Sequence, residues 1–148
     1  MKKIKILNGP NLNLLGIRES EIYGNITLNE INNKLKTIAK SHNVGIEFHQ
    51  TNSESVYINH IHDSYQESID FMILNPAAFT HTSIAIRDAL LATRIKFIEV
   101  HLSNTMSRES FRHKSFVSDI ACGTISGFGG QGYEIALELA IKSCNKLN

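Results

Sequence analysis

Phe71-Met72-Ile73-Leu74 is a short apolar run that ends in Asn75-Pro76. Thr80-His81-Thr82-Ser83-Ile84-Ala85-Ile86-Arg87-Asp88-Ala89-Leu90 follows, and then a second run, Phe97-Ile98-Glu99-Val100-His101-Leu102. The two runs have the brevity and the Ile, Val, Phe and Leu content of buried strands. Between them, a cap at Thr80 or Thr82 opens a helix carrying Ile84, Ile86, Ala89 and Leu90. Two strands joined by a helix form a right-handed crossover, and the strands of such a unit lie parallel.

The same alternation extends in both directions. Lys3–Leu7, Gly45–Gln50 and Ile120–Ser126 complete a set of five strands. A first helix starts at Thr27-Leu28-Asn29-Glu30, a capping box, with Ile31, Leu35 and Ile38 at helical spacing. Ser53 or Glu54 opens a second helix with Val56, Ile58 and Ile61 on its apolar side. The last helix runs from about Gln131 to Lys146, with Ile135, Leu139 and Ala140 expected inward. Five strands alternating with helices predict a flavodoxin-like, doubly wound three-layer sandwich around a five-stranded parallel sheet. Such sheets bind ligands beyond the carboxyl ends of their strands.

With 148 residues, the chain is expected to form one domain, residues 1–148, since domains commonly run ~100–150 residues. A chain this long buries roughly 68–70% of its unfolded surface, enough to fold without a disulfide or metal. The content of 42% hydrophobic and 20% charged residues excludes disorder, and a net charge of +1 gives no bulk attraction to nucleic acid or membranes. The N-terminal apolar run is too short for a signal sequence, and no window approaches the ~18 apolar residues of a membrane helix. Cys122 and Cys144 lie far apart, with no zinc-type spacing, and are read as buried free thiols. A cytoplasmic protein without a metal is the expectation.

Three strand ends carry the polar residues. After the first lies the long stretch Asn8–Gly24, which holds Arg18 and Tyr23 between Gly16 and Gly24; loops of such length are usually lids or binding loops. After the third, Asn75-Pro76-Ala77-Ala78 leads through His81 to a helix N-terminus, a position suited to a carboxylate. On the fourth, Glu99 and His101 alternate onto one face, where the carboxylate sets the tautomer of the imidazole and raises the basicity of its other nitrogen. Downstream, the basic stretch Arg108–Lys114 offers an arginine to an anionic substrate.

Other patterns carry less. Gly127-Phe128-Gly129-Gly130-Gln131-Gly132 fits GxGxxG, but no further strand and acidic residue follow it, so tight turning accounts for the glycines. His60 and His62 point to different helix faces, and neither a P-loop nor a GxSxG elbow occurs. From the residues alone, a nucleotide- or flavin-binding module on the same fold, or a plain assembly protein, competes with an acid–base enzyme.

Across nearly its whole length the chain resembles the type II 3-dehydroquinate dehydratases. The matching segments are Asn8-Gly9-Pro10-Asn11-Leu12, Gly16-Ile17-Arg18-Glu19 with Tyr23-Gly24, and Thr80-His81-Thr82-Ser83 with Arg87-Asp88. They continue through Glu99-Val100-His101-Leu102-Ser103-Asn104, Arg108-Glu109 with Phe111-Arg112, and Gly132-Tyr133; Met106 departs from the His or aromatic residue of many relatives. The resemblance implies trimers assembled into a dodecamer and a lyase without cofactor or metal. It implies dehydration of 3-dehydroquinate to 3-dehydroshikimate through an enolate, on the route to chorismate and aromatic amino acids. Carried over, Tyr23 is the base, acting as tyrosinate with Arg18, and with Arg112 as a second cation. Asn11 holds the water at the enolate oxygen, and His101, oriented by Glu99, protonates the departing hydroxyl. Asn75 with Leu102 and Ser103 holds the carboxylate and ring, His81 and Arg112 contact hydroxyls, and Asp88 reaches a neighbouring subunit's site. A tyrosine has a pKa of about 10; a cation ~4 Å away at an effective dielectric near 20 contributes roughly 4 kcal/mol, about a thousandfold in acidity.

Overall fold

Five parallel strands lie in the order β2-β1-β3-β4-β5, as established from a computed structural model of the chain. The structure describes residues 1–17 and 20–146, and leaves the side chains of Ser20 and Tyr23 undescribed. The strands are β1 (Lys3–Asn8), β2 (Gly45–Gln50), β3 (Phe71–Asn75), β4 (Phe97–His101) and β5 (Gly123–Ser126). The helices are α1 (Ser20–Tyr23), α2 (Leu28–Ser41), α3 (Glu54–Gln66), α4 (Ile84–Thr93) and α5 (Gln131–Asn145). Helices α2 and α5 pack together on one face, and α3 and α4 on the other.

Strand alternation divides the core accordingly. Ile4, Ile6, Phe71, Ile73, Ile98 and Val100 point toward α2 and α5, meeting Ile31, Leu35, Ala136, Leu137 and Ala140. Leu7, Met72, Leu74 and Phe97 point the other way, toward Tyr57, Ile61, Ile86, Ala89 and Leu90. Strand β3, at the centre of the sheet, is buried on both faces and reads as the unbroken apolar run Phe71–Leu74. The five-stranded, doubly wound architecture is the one expected.

Several element details differ from expectation. Helix α5 buries Tyr133, Ala136, Leu137, Ala140, Ile141 and Cys144, while Ile135 and Leu139 remain 37% and 47% exposed. Ile135 and Leu139, four residues apart, fall on the flank of that buried stripe. On α3 the inward stripe is Tyr57, Ile61 and Ser64, and Val56 is exposed. Tyr57 fits inside because its hydroxyl donates to the Leu7 carbonyl at 3.0 Å. Strand β5 begins at Gly123, with Ser118–Ile120 forming a 3₁₀ turn instead. Cys144 is buried as expected, whereas Cys122, beside the edge strand, is exposed.

Helix α4 is capped neither by Thr80 nor by Thr82. Ser83 accepts from the Ile86 N–H at 3.0 Å, and Ala77–His81 forms a 3₁₀ turn. The Thr80 hydroxyl is engaged elsewhere, on Glu99. Among the described residues, no helix is long and apolar enough to cross a membrane.

Candidate active site

The carboxyl ends of β1, β3 and β4 open into one pocket. In the parallel register Asn8 of β1 stands beside Asn75 of β3, and Leu74 beside Glu99 of β4. The chain leaves β1 through Gly9, whose N–H donates to the Asn75 carbonyl at 2.8 Å. A Cβ on Gly9 would stand 2.3 Å from the Pro76 carbonyl oxygen, so only glycine lets the two loops cross. Asn11 then turns in the left-handed region at φ 69°, a conformation asparagine tolerates. Its N–H donates to Asn52 Oδ1 at 3.0 Å. Asn11, Leu12 and Leu15 form one wall of the pocket.

The β3 end contributes Asn75, 2% exposed. Its Oδ1 accepts from the Ala77 N–H at 3.1 Å, an Asx turn that folds the chain into the 3₁₀ segment. Ala77, Ala78 and His81 of that segment face the pocket, while the α4 N-terminus is closed by Ser83 and is absent from the lining. The free helix N-terminus expected here is therefore replaced by the 3₁₀ turn. His81 donates from Nδ1 to the Lys114 carbonyl at 2.7 Å, leaving Nε2 for the pocket.

Glu99 and His101 share one face of β4, and His101 Nε2 lies 2.6 Å from Glu99 Oε2. Glu99 is 1% and His101 8% exposed. A carboxylate so deeply placed needs compensation. Thr80 Oγ1 donates to it at 2.6 Å, Ser115 Oγ donates at 3.1 Å, and Ser118 Oγ donates to Oε1. Burial opposes the charge, but the hydrogen bond and charge of His101, with the Ser118 and Thr80 hydroxyls, outweigh it and hold the carboxyl at about 2. Glu99 is thus ionised at neutral pH, and His101 Nε2 carries a proton toward it. The imidazole lies nearly parallel to that of His81, with centroids 6.3 Å apart.

The far wall is made by Leu102, Ser103, Thr105, Arg108 and Arg112. The glycine-rich turn after β5 secures this edge: Gly127 donates its N–H to the His101 carbonyl at 3.2 Å, and Gly129 to that of Leu102 at 2.9 Å. Gly127 and Gly129 both adopt positive φ, the tight turning expected of the GxGxxG look-alike. Arg112 Nε pairs with Glu109 at 2.7 Å and lies over the Phe111 ring.

The fold and the sequence recur in known proteins. The class II dehydroquinase family model matches residues 2–141. The chain belongs to the class II dehydroquinase family. It is 55% identical to 3-dehydroquinate dehydratase of Haemophilus influenzae strain 86-028NP, over 94% of this chain and 93% of the relative. It is 56% identical to that of Enterobacter sp. strain 638, over 94% and 92%. The crystal structure of type II dehydroquinase from Butyrivibrio crossotus DSM 2876 superimposes with a TM-score of 0.92 at 44% identity, covering 94% and 97%. As a class II dehydroquinase, the chain is a hydro-lyase.

In this dehydroquinase, Asn11, Asn75, His81, His101, Leu102, Ser103 and Arg112 surround one cavity, with Glu99 behind His101. Asp88 is exposed on α4 and is not part of the lining. Arg18 and the side chain of Tyr23 lie outside what the structure describes; the backbone of Ser20–Tyr23 forms the short helix α1, where a continuous loop was expected. The sequence alone does not point to Thr80, Ser115 and Ser118 as partners of Glu99; Thr80 reads as a helix cap and Arg108, which lines the pocket, as part of a basic stretch.

Proposed function

We propose that residues 1–148 act as a single catalytic domain in which this pocket dehydrates 3-dehydroquinate to 3-dehydroshikimate, on the route to chorismate and aromatic amino acids. The observation that carries the reading is the buried Glu99–His101 pair at the pocket wall, 2.6 Å apart. With Nε2–H directed to the Glu99 carboxylate, the imidazolium form of His101 carries a second proton on Nδ1. This is the proton given to the departing hydroxyl, leaving a neutral imidazole. Tyr23, as tyrosinate beside Arg18, removes the proton alpha to the ketone. The C–H pair becomes the enolate, the enolate expels the beta C–O bond, and the oxygen leaves as water with the His101 proton. Asn11 holds the water that faces the enolate oxygen, supplying stabilisation where charge develops.

Binding falls to the rest of the lining. Asn75 with the Leu102 and Ser103 backbone holds the carboxylate and ring, and His81 and Arg112 reach ring hydroxyls. The proposed assembly is a trimer, four of which form a dodecamer in the cytoplasm, with Asp88 completing a neighbour's site. Ile84, Asp88 and Leu91 support that assembly. They fall at i, i+4 and i+7 on α4, one exposed stripe with an acidic centre.

A steady-state assay with 3-dehydroquinate tests the chemistry. Tyr23→Phe and His101→Ala are each expected to lower kcat by about 10² or more with the fold intact by circular dichroism. Near wild-type turnover from Tyr23→Phe would remove it as the base.

A further inference from the structure

Tyr133 stands apart from the pocket lining and from the residues given roles above, yet it joins two of the strand ends that build the site. It lies in the first turn of α5 and is wholly buried, at 0% exposure. Its hydroxyl donates to Asn8 Oδ1 at 2.6 Å and accepts from Asn75 Nδ2 at 2.8 Å. Asn8 and Asn75 are register partners on the adjacent strands β1 and β3. The phenol therefore bridges the carboxyl ends of the two central strands, reaching them from the helix layer.

The direction of the bridge follows from counting protons. A phenol has one proton to donate, and Asn8 Oδ1 takes it. Toward Asn75 the oxygen must then accept, so the amide presents Nδ2, not Oδ1. At the opposite end, the Ala77 N–H requires an acceptor, and Asn75 Oδ1 supplies it at 3.1 Å. Both ends of the Asn75 amide are assigned by fixed partners, and the group cannot turn over without breaking both bonds. What remains for the pocket is one N–H and one lone pair in a set orientation.

We propose that Tyr133 is a positioning residue for substrate binding: it fixes the Asn75 side-chain amide so that its second N–H is aimed at the substrate. This rests on the reading of Asn75 as a substrate contact. Burial pushes the Tyr133 hydroxyl above its ordinary range, against the opposing hydrogen bond from Asn75, so the group stays protonated and the bridge keeps its polarity. Because Asn75 holds the ground state and the transition state alike, losing its alignment weakens both equally and is read in KM more than in kcat.

The test is a cycle of Tyr133→Phe, Asn75→Ala and the double variant, assayed with 3-dehydroquinate. Tyr133→Phe is expected to raise KM about tenfold, the scale of one misaligned hydrogen bond, while kcat changes less than about twofold. In the Asn75→Ala background, Tyr133→Phe should raise KM no further, since there is no amide left to align. Equal effects in both backgrounds would overturn the proposal and assign Tyr133 a general packing role. A raised KM in Asn75→Ala with an unchanged KM in Tyr133→Phe would overturn it while leaving Asn75 a binding residue. An unchanged KM in Asn75→Ala would remove both. Should Tyr133→Phe not fold, the wild-type protein with ¹⁵N-labelled asparagine provides the second measurement. Asn75 should show a side-chain amide proton exchanging at least about tenfold slower than those of exposed Asn29; equal exchange would overturn the proposal.

Discussion

Glu99 concentrates the electrostatic consequence of the fold in one side chain. Its carboxyl is held at about 2, against an ordinary value of 4.5. A depressed pKa contributes stability that is fully present above the unfolded value and is lost as pH falls toward the folded one. Glu99 therefore stabilises the native state above pH 4.5 and loses that effect on the way down to about 2. The difference is on the order of 3 kcal/mol. Glu99→Gln should accordingly be less stable than wild type near neutral pH by a similar amount, with the gap closing as the solution is acidified through that window. Urea unfolding of both proteins across the range provides the check, and a gap independent of pH would contradict the account. The Glu99–His101 pairing was legible from strand alternation alone. The hydroxyls of Thr80, Ser115 and Ser118 were not, because they come from 16 to 19 residues away and carry no local periodicity that aims them at Glu99.

Among the elements, the β1 and β3 ends depend on how closely two loops cross. Gly9 has an ordinary backbone conformation, so its requirement arises from space: an added Cβ would stand 2.3 Å from a backbone oxygen. Backbone yields far less readily than a side-chain tip. Gly9→Ala is expected to destabilise by about 1–3 kcal/mol and to raise KM for 3-dehydroquinate, since Asn11 and Asn75 would be pushed apart together. Denaturant midpoints and steady-state kinetics on the same preparation test it; unchanged values in both would show that the crossing relaxes freely. Local signals placed the helices well where a cap and an apolar stripe coincide. Thr27 and Glu30 form the expected capping box on α2, with Ile31 and Leu35 inward. They failed where a residue had another use or the stripe was misplaced. Thr80 reads as a cap but serves Glu99, and Ile135 and Leu139 read as core while α5 turns Ala136, Leu137, Ala140 and Ile141 inward.

For the whole molecule, the proposed assembly makes the surface of α4 decisive. Ile84 and Leu91 are 58% and 48% exposed on either side of Asp88. Aliphatic side chains in such a stripe are favoured when a partner covers them, and charge there should prevent it. Ile84→Asp with Leu91→Asp is expected to convert the assembly to smaller species and to lower turnover per chain by at least about tenfold, with the fold retained. Light scattering beside the dehydration assay measures both; an unchanged mass would move the interface elsewhere.

The alternation of apolar runs and capped helices was sufficient, by itself, to specify a five-stranded parallel sheet and to direct attention to its carboxyl edge. That information is local: period, caps and turn residues act over a few positions. The segments resembling the type II 3-dehydroquinate dehydratases supplied the proposed acid–base pair and binding residues. Only the tertiary structure decided which groups compensate the buried Glu99 carboxylate, why Gly9 admits no side chain, and how Tyr133 joins Asn8 to Asn75. Each of these depends on atoms distant in the chain brought within hydrogen-bond or contact distance, and no pattern along the sequence encodes such a distance directly.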